Sequence, residues 1–125
     1  MTAYEIIGKG FALAGEYLDM FPDKQLAITW LNISMAESLV AENHIRQYKN
    51  TEQLSQPVVV KKLSDNVDFD IGLCSIALPY GLASYLSADR EDSYMSAIFR
   101  NRFVTALQNV AKARESTISD LYGGA

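Results

Sequence analysis

"LCSIALPYGLASYLSADREDSYMSAIFRNRF", residues 73–103, decides how the rest of the chain is read. Ile71, Cys74, Leu78, Leu82 and Tyr85 recur at helical spacing, which predicts a helix over about residues 71–87 with Asp70 as its N-cap. Pro79 has no N–H for the Ser75 carbonyl and its ring crowds that turn, so the helix is expected to kink there. Gly81 leaves room on the packed side, making Pro79, Tyr80 and Gly81 the candidate residues for kinked-helix packing. An enzyme could bend a helix here to open a pocket, and a structural subunit could bend it to fit a neighbour; spacing alone does not choose. "SADRED" is then a short connection in which Ser87 or Asp89 can cap the next helix, with Glu91 and Asp92 suited to its first turn. Met95, Ile98, Phe99, Phe103, Ala106 and Val110 mark the inner face of a last helix running to about Arg114, antiparallel to its predecessor.

Upstream, Ile7, Phe11, Ala14 and Leu18 predict a first helix over about residues 3–18. Gly8, Gly10 and Gly15 weaken it, and such small residues allow close approach of another backbone. "DMFPDK" separates it from a second, long amphipathic helix over about residues 23–48, whose inner face reads Leu26, Trp30, Ile33, Val40 and His44, widened by Leu31, Met35 and Leu39. The expected core lies between the second, third and fourth helices, with Trp30, Ile33, Leu78, Leu82, Phe99 and Phe103 in it.

Between the second and third helices the pattern changes. Residues 50–56 are polar, Pro57 leads the β-branched run "VVVKKL", "SDN" is turn chemistry and "VDF" can pair back, so a short hairpin over about residues 57–69 is expected. An isolated hairpin is marginal in water, which makes Val58, Val60, Lys61, Lys62 and Phe69 candidates for contact with another surface or subunit, mobile until they find it. The tail "ESTISDLYGGA" shows no helical stripe, yet Ile118, Leu121 and Tyr122 are apolar and precede the flexible Gly123. An arm that orders on a partner is the expectation for residues 116–125, beside one helical domain over 1–115.

Composition sets the outer bounds. A chain of 125 residues suits one domain, and 49% apolar usage is globular. A formal charge of −4 argues against a protein whose task is gripping phosphate backbones. No cleavable leader pattern precedes "GKGF", and the longest apolar stretch, broken by Pro79, falls short of a membrane span, so a soluble chain made in a reducing compartment is expected. Cys74, the single cysteine, sits in an apolar setting and reads as a small core residue.

Several chemical readings fail on spacing. "GKGFAL" has Leu13 where a dinucleotide fingerprint needs its third glycine, and no strand precedes it. Asp65, Asp68, Asp70 and Gly72 lack the spacing and closing glutamate of a calcium loop. His44 is the sole histidine, too little for a metal site or a catalytic pair. Glu91 and Asp92 read as a helix start. No catalytic, cofactor-binding or metal-binding residue is assigned, and an enzyme is not expected.

The predicted fold class is mainly α: a small bundle of about four helices, an extended or hairpin loop between helices two and three, and a non-helical C-terminal arm. The order of its parts, "NHIRQYKNTEQL", "QPVVVKKLSDNVDFD", "LPYGLASYLSADREDSYMSAIFRNRF" and "DLYGGA", resembles the small head-tail connector (adaptor) proteins of tailed bacteriophages and prophages over roughly residues 24–125, with "LPYGLAS" the sharpest part. The resemblance implies a structural virion protein at the neck, made in the bacterial host cytoplasm and needing no cofactor. It implies a homo-oligomeric ring, commonly twelvefold, beneath the portal protein, extending a channel through which genomic DNA passes without sequence-specific binding. It also implies a platform for the next neck or tail protein, with the loop reaching a neighbouring ring or subunit and the arm at Ile118, Leu121, Tyr122 and Gly123 docking on the portal or a neighbour. The alternatives are another neck protein, a stopper or tail-completion subunit, and a small cytoplasmic helical regulator that binds a partner helix.

Overall fold

Thr2 starts the first helix. Its hydroxyl accepts the Glu5 N–H at 3.2 Å while the Glu5 carboxylate accepts the Thr2 N–H at 3.1 Å, a reciprocal cap that opens α1 at Ala3–Leu13. The computed structural model describes the backbone of residues 1–121 and the side chains of residues 1–115. α1 ends five residues sooner than the apolar spacing suggested, because the chain turns through Gly15 at a φ of +76°, a conformation that side chains oppose. A short 3₁₀ turn at Leu18–Met20 takes the place of the last expected helical turn.

The long second helix is two helices, α2 at Lys24–Glu37 and α3 at Leu39–Tyr48. Asp23 caps α2 by accepting the Leu26 N–H at 2.9 Å. Ser38 divides the pair: its N–H bonds to the Ser34 and Met35 carbonyls, and its hydroxyl donates to the Ser34 carbonyl at 2.7 Å. The inner face is also rotated from expectation. Ala27, Leu31, Ser34, Met35, Ser38, Glu42 and Ile45 are buried, whereas Ile33 and Val40 are 41% and 83% exposed. Apolar type alone pointed the wrong way, because Ser38 and Glu42 satisfy their polar groups inside.

At the expected kink, Pro79 lies in a regular first helical turn, and the irregularity stands just before it. Leu73–Ala77 form a π turn, in which the Leu78 N–H reaches back to the Leu73 carbonyl, and Pro79 enters the first turn of α4 (Leu78–Asp89), where no N–H is required. α5 spans Ser93–Leu121, past the expected end at Arg114. The non-helical arm is thereby corrected over residues 116–121; "ESTISDL" holds neither glycine nor proline to stop the helix.

α4 is the central element, packed on α1, α2 and α5, while α3 lies on α5. Gly10 permits the α1–α4 approach, since a Cβ there would stand 2.7 Å from the Leu82 Cβ and 2.8 Å from the Pro79 carbonyl oxygen. Phe11, Leu31, Leu78, Leu82, Leu86 and Phe103 fill the centre. Phe11, Phe21 and Trp30 form an aromatic trio with centroids 5.0 to 6.2 Å apart, each contact worth about 0.5–1.5 kcal/mol beyond its buried area. Of the six residues expected in the core, Trp30, Leu78, Leu82, Phe99 and Phe103 are buried and only Ile33 is not.

The expected hairpin does not form. Among the described residues the only β contact is an isolated antiparallel bridge between Thr2 and Asn66. The chain from Asn50 to Asp70 is an extended loop whose Val60, Val67 and Phe69 are buried against the helices.

Candidate functional site

The loop is fixed by side-chain amides that imitate strand neighbours. Asn32 on α2 donates to the Val60 carbonyl at 3.0 Å and accepts the Val60 N–H at 2.9 Å. Asn43 on α3 does the same for Leu54, at 2.9 and 2.7 Å. Asp65 closes the turn by accepting the Lys61 and Lys62 N–H groups at 2.8 and 3.0 Å, and these bonds hold its carboxyl below the usual range. The start of α1 joins in, with the Ala3 and Tyr4 N–H groups donating to the Asp65 and Leu63 carbonyls.

Where the loop meets the helices, two buried carboxylates share a cluster with three cations. Glu42 accepts the Asp70 N–H at 2.6 Å. Asp70 accepts Lys49 Nζ at 3.0 Å, Arg114 Nε at 3.1 Å and the Gly72 N–H at 2.8 Å. Arg46 lies 3.8 Å from Glu42 and 3.4 Å from the exposed Asp68 carboxylate, and donates to the Asp68 carbonyl at 2.9 Å. Burial pushes the Glu42 carboxyl up, and the Asp70 N–H and Arg46 offset this only in part. Burial also pushes Asp70 up, but Lys49, Arg114 and the Gly72 N–H together outweigh it and leave that carboxyl below its ordinary value. The arrangement joins α3, the loop and α5 at one point. Its chemistry is that of a joint, since each acid already faces its own donors.

The "LPYGLA" segment stands elsewhere. Gly81 is packed so closely that a Cβ would meet Ser34 Oγ at 2.8 Å and the Phe103 ring at 3.3 Å, and the Tyr80 ring stacks on Phe99 at 6.5 Å. Pro79 is buried; Tyr80 is half-buried. On the outer side, Ile76 and Tyr80 form a ridge between two apolar grooves of about 560 and 500 Å³, one towards α5 and one towards α1. Cys74 is buried, its thiol facing the Phe69 carbonyl at 3.7 Å, and burial pushes that thiol up to about 11.

The expected site residues thus separate into three groups. Pro79, Tyr80 and Gly81 do pack at the helix junction. In the loop, Val60 and Phe69 belong to the chain's own core and offer no surface to a neighbour, a correction that leaves Val58, Lys61 and Lys62 at or near the surface. The side chains of Ile118 and Leu121, and all of Tyr122 and Gly123, lie outside the described residues. Asn32, Asn43 and Glu42 were missed. The signal was present as polar residues on the true inner face, Ser34, Ser38 and Glu42, at four-residue steps. No family of proteins, no curated protein and no solved structure matches this chain.

Proposed function

We propose that the chain is a head-tail connector of a tailed bacteriophage or prophage, a structural subunit that forms a ring, of twelve copies, beneath the portal protein. It extends the DNA channel at the virion neck and carries the next neck or tail component. The observation that carries this reading is the order of motifs, from "NHIRQYKNTEQL" through "LPYGLAS" to "DLYGGA". The structure supports it in kind. "LPYGLA" lies at a close helix junction, where a subunit's shape is set, and the loop is braced at Leu54 and Val60 and turned by Asp65, with Lys61 and Lys62 exposed. A closed ring needs two unlike surfaces on each subunit, and a bundle with a braced loop on one flank has them.

The test is assembly with the portal. Purified protein mixed with portal rings should add a second ring, seen in negative stain, and a chain ending at Glu115 should fold as before but lose co-sedimentation with the portal. Absence of any added ring from the intact chain would defeat the reading.

A further inference from the structure

Opposite flanks of α1 carry unlike surfaces. On one flank the 3₁₀ turn stands out as a knuckle whose Tyr17 and Met20 are 77% and 76% exposed. It is tied to α1 by the Tyr4 hydroxyl, which donates to Asp19 at 2.9 Å, and by Phe21 against Phe11. Asp19 and Asp23 are exposed beside it, whereas the one nearby ammonium, Lys24, turns back onto the Phe21 and Asp19 carbonyls and Glu16 is paired with Arg90. The knuckle is therefore apolar at its tip and acidic at its edge.

The other flank carries the groove pair about the Ile76–Tyr80 ridge. Ile76 is 51% exposed, Leu13 walls one groove and Ala106 floors the other. The charged side chains lining the two grooves are Lys9 and Arg102, one on each side of the ridge, with no carboxylate among the lining residues. Arg102 makes no ion pair among the described residues. Tyr4, which marks the knuckle side, and Lys9, which marks the groove side, are five residues apart, or about 140° around the helix. Apolar tip with acidic edge on one flank, apolar groove with basic rims on the other: each surface has the chemistry that the opposite one lacks.

We propose that the Tyr17–Met20 knuckle of one copy seats in the grooves beside the Ile76–Tyr80 ridge of the next copy, with Asp19 and Asp23 meeting Lys9 and Arg102. The contact is heterologous, so it repeats from copy to copy and closes when the rotation per step allows. The inference rests on the ring-subunit reading, which requires two such faces, and it adds which residues form them.

Site-directed crosslinking of mixed full-length chains tests it. One chain carries Met20→Cys, the other Ile76→Cys, and a short bis-maleimide joins them; the native Cys74, buried and held as a thiol, does not compete. The mixed product should form at least about tenfold faster than the product of Met20→Cys with Ile33→Cys, an exposed position off both surfaces. Arg102→Glu in the groove chain should slow it, and Asp19→Lys in the knuckle chain should restore it. A rate no higher than the control, both at millimolar free protein and in any ring formed on the portal, overturns the contact. Portal rings without this product would refute the contact and leave the connector reading standing. Product without portal binding would do the reverse.

Discussion

Asn32 grips both backbone groups of Val60, donating to its carbonyl at 3.0 Å and accepting its N–H at 2.9 Å. A strand partner would make the same two bonds, so one side chain on α2 replaces a hairpin. Asn32→Asp keeps the acceptor but loses the donor, and it sets a carboxylate against the Val60 carbonyl. We expect a loss of about 1–3 kcal/mol and faster hydrogen exchange at Val58–Val60. Exchange across this loop should otherwise be slow in the isolated subunit; fast exchange in the unaltered protein would contradict the bracing.

Gly8 and Gly10 are two residues apart in α1 and should respond in opposite directions. A Cβ at Gly8 meets nothing within 4 Å, so Gly8→Ala should stabilise by about 0.5–1 kcal/mol through helix propensity. A Cβ at Gly10 meets the Pro79 carbonyl and the Leu82 Cβ, so Gly10→Ala should force α1 from α4 at a cost of about 1–3 kcal/mol. Thermal melts of the two variants give the comparison directly.

Ser34 Oγ is buried against Gly81 and makes no hydrogen bond among the described residues. An unsatisfied buried hydroxyl costs about 1–3 kcal/mol, so Ser34→Ala should stabilise the fold by up to that amount and raise the denaturation midpoint. A lower midpoint would show that the hydroxyl has a partner.

Glu42 and Asp70 give opposite pH dependences. Glu42 has its carboxyl raised in the folded chain, so its charge weakens folding at neutral pH and that penalty is relieved as pH falls through the raised value. Glu42→Gln, which can still accept the Asp70 N–H, should therefore equal or exceed the parent in stability at pH 7, with the difference closing in mild acid. Asp70 is lowered, so its contribution is complete above the unfolded carboxylate value and is lost as pH falls through the folded one. Asp70→Asn removes the charge that pairs with Lys49 and Arg114 and should cost about 1–3 kcal/mol at pH 7, below the cost of breaking a fully buried pair because water reaches both cations. Urea titrations at pH 7 and in acid check both signs.

Much of this architecture was legible in residue spacing. The helix carrying "LPYGLA" and the one carrying Phe99 and Phe103 follow their apolar stripes, but the turn between them takes only the second half of "SADRED": Ser87 and Asp89, the expected caps, lie inside α4, and Asp92 accepts the Met95 N–H instead. The face of α2 and α3 was not, because Ile33 and Val40 look like core while Ser34, Ser38 and Glu42 occupy it. Pattern reading assigns burial by residue type; here tertiary partners such as the Asp70 N–H made a buried carboxylate tolerable. The loop was misread for a related reason. "VVVKKL" has strand propensity, but its backbone partners came from amides distant in sequence, a pairing that no local pattern encodes. The acid–base joint was visible only as an N-cap at Asp70, since Lys49 and Arg114 reach it from helices far along the chain.

The π turn at Leu73–Ala77 fixes a phase as well as a path. Each α-helical residue advances the side-chain direction by about 100°, and a wide turn fits one more residue into nearly the same rotation. Upstream of it Asp70 and Gly72 are aimed at α3 and α5; downstream Pro79, Gly81 and Leu82 are aimed at α1 and α2. Removing one residue from Leu73–Ala77 would therefore close the wide turn to an ordinary one and leave Gly81 facing Ser34 and Tyr80 at its present bearing, whereas removing one residue from the start of α4 would turn everything beyond the cut by about 100°. The wide turn is in this sense slack that lets the sequence on either side of it keep its own register.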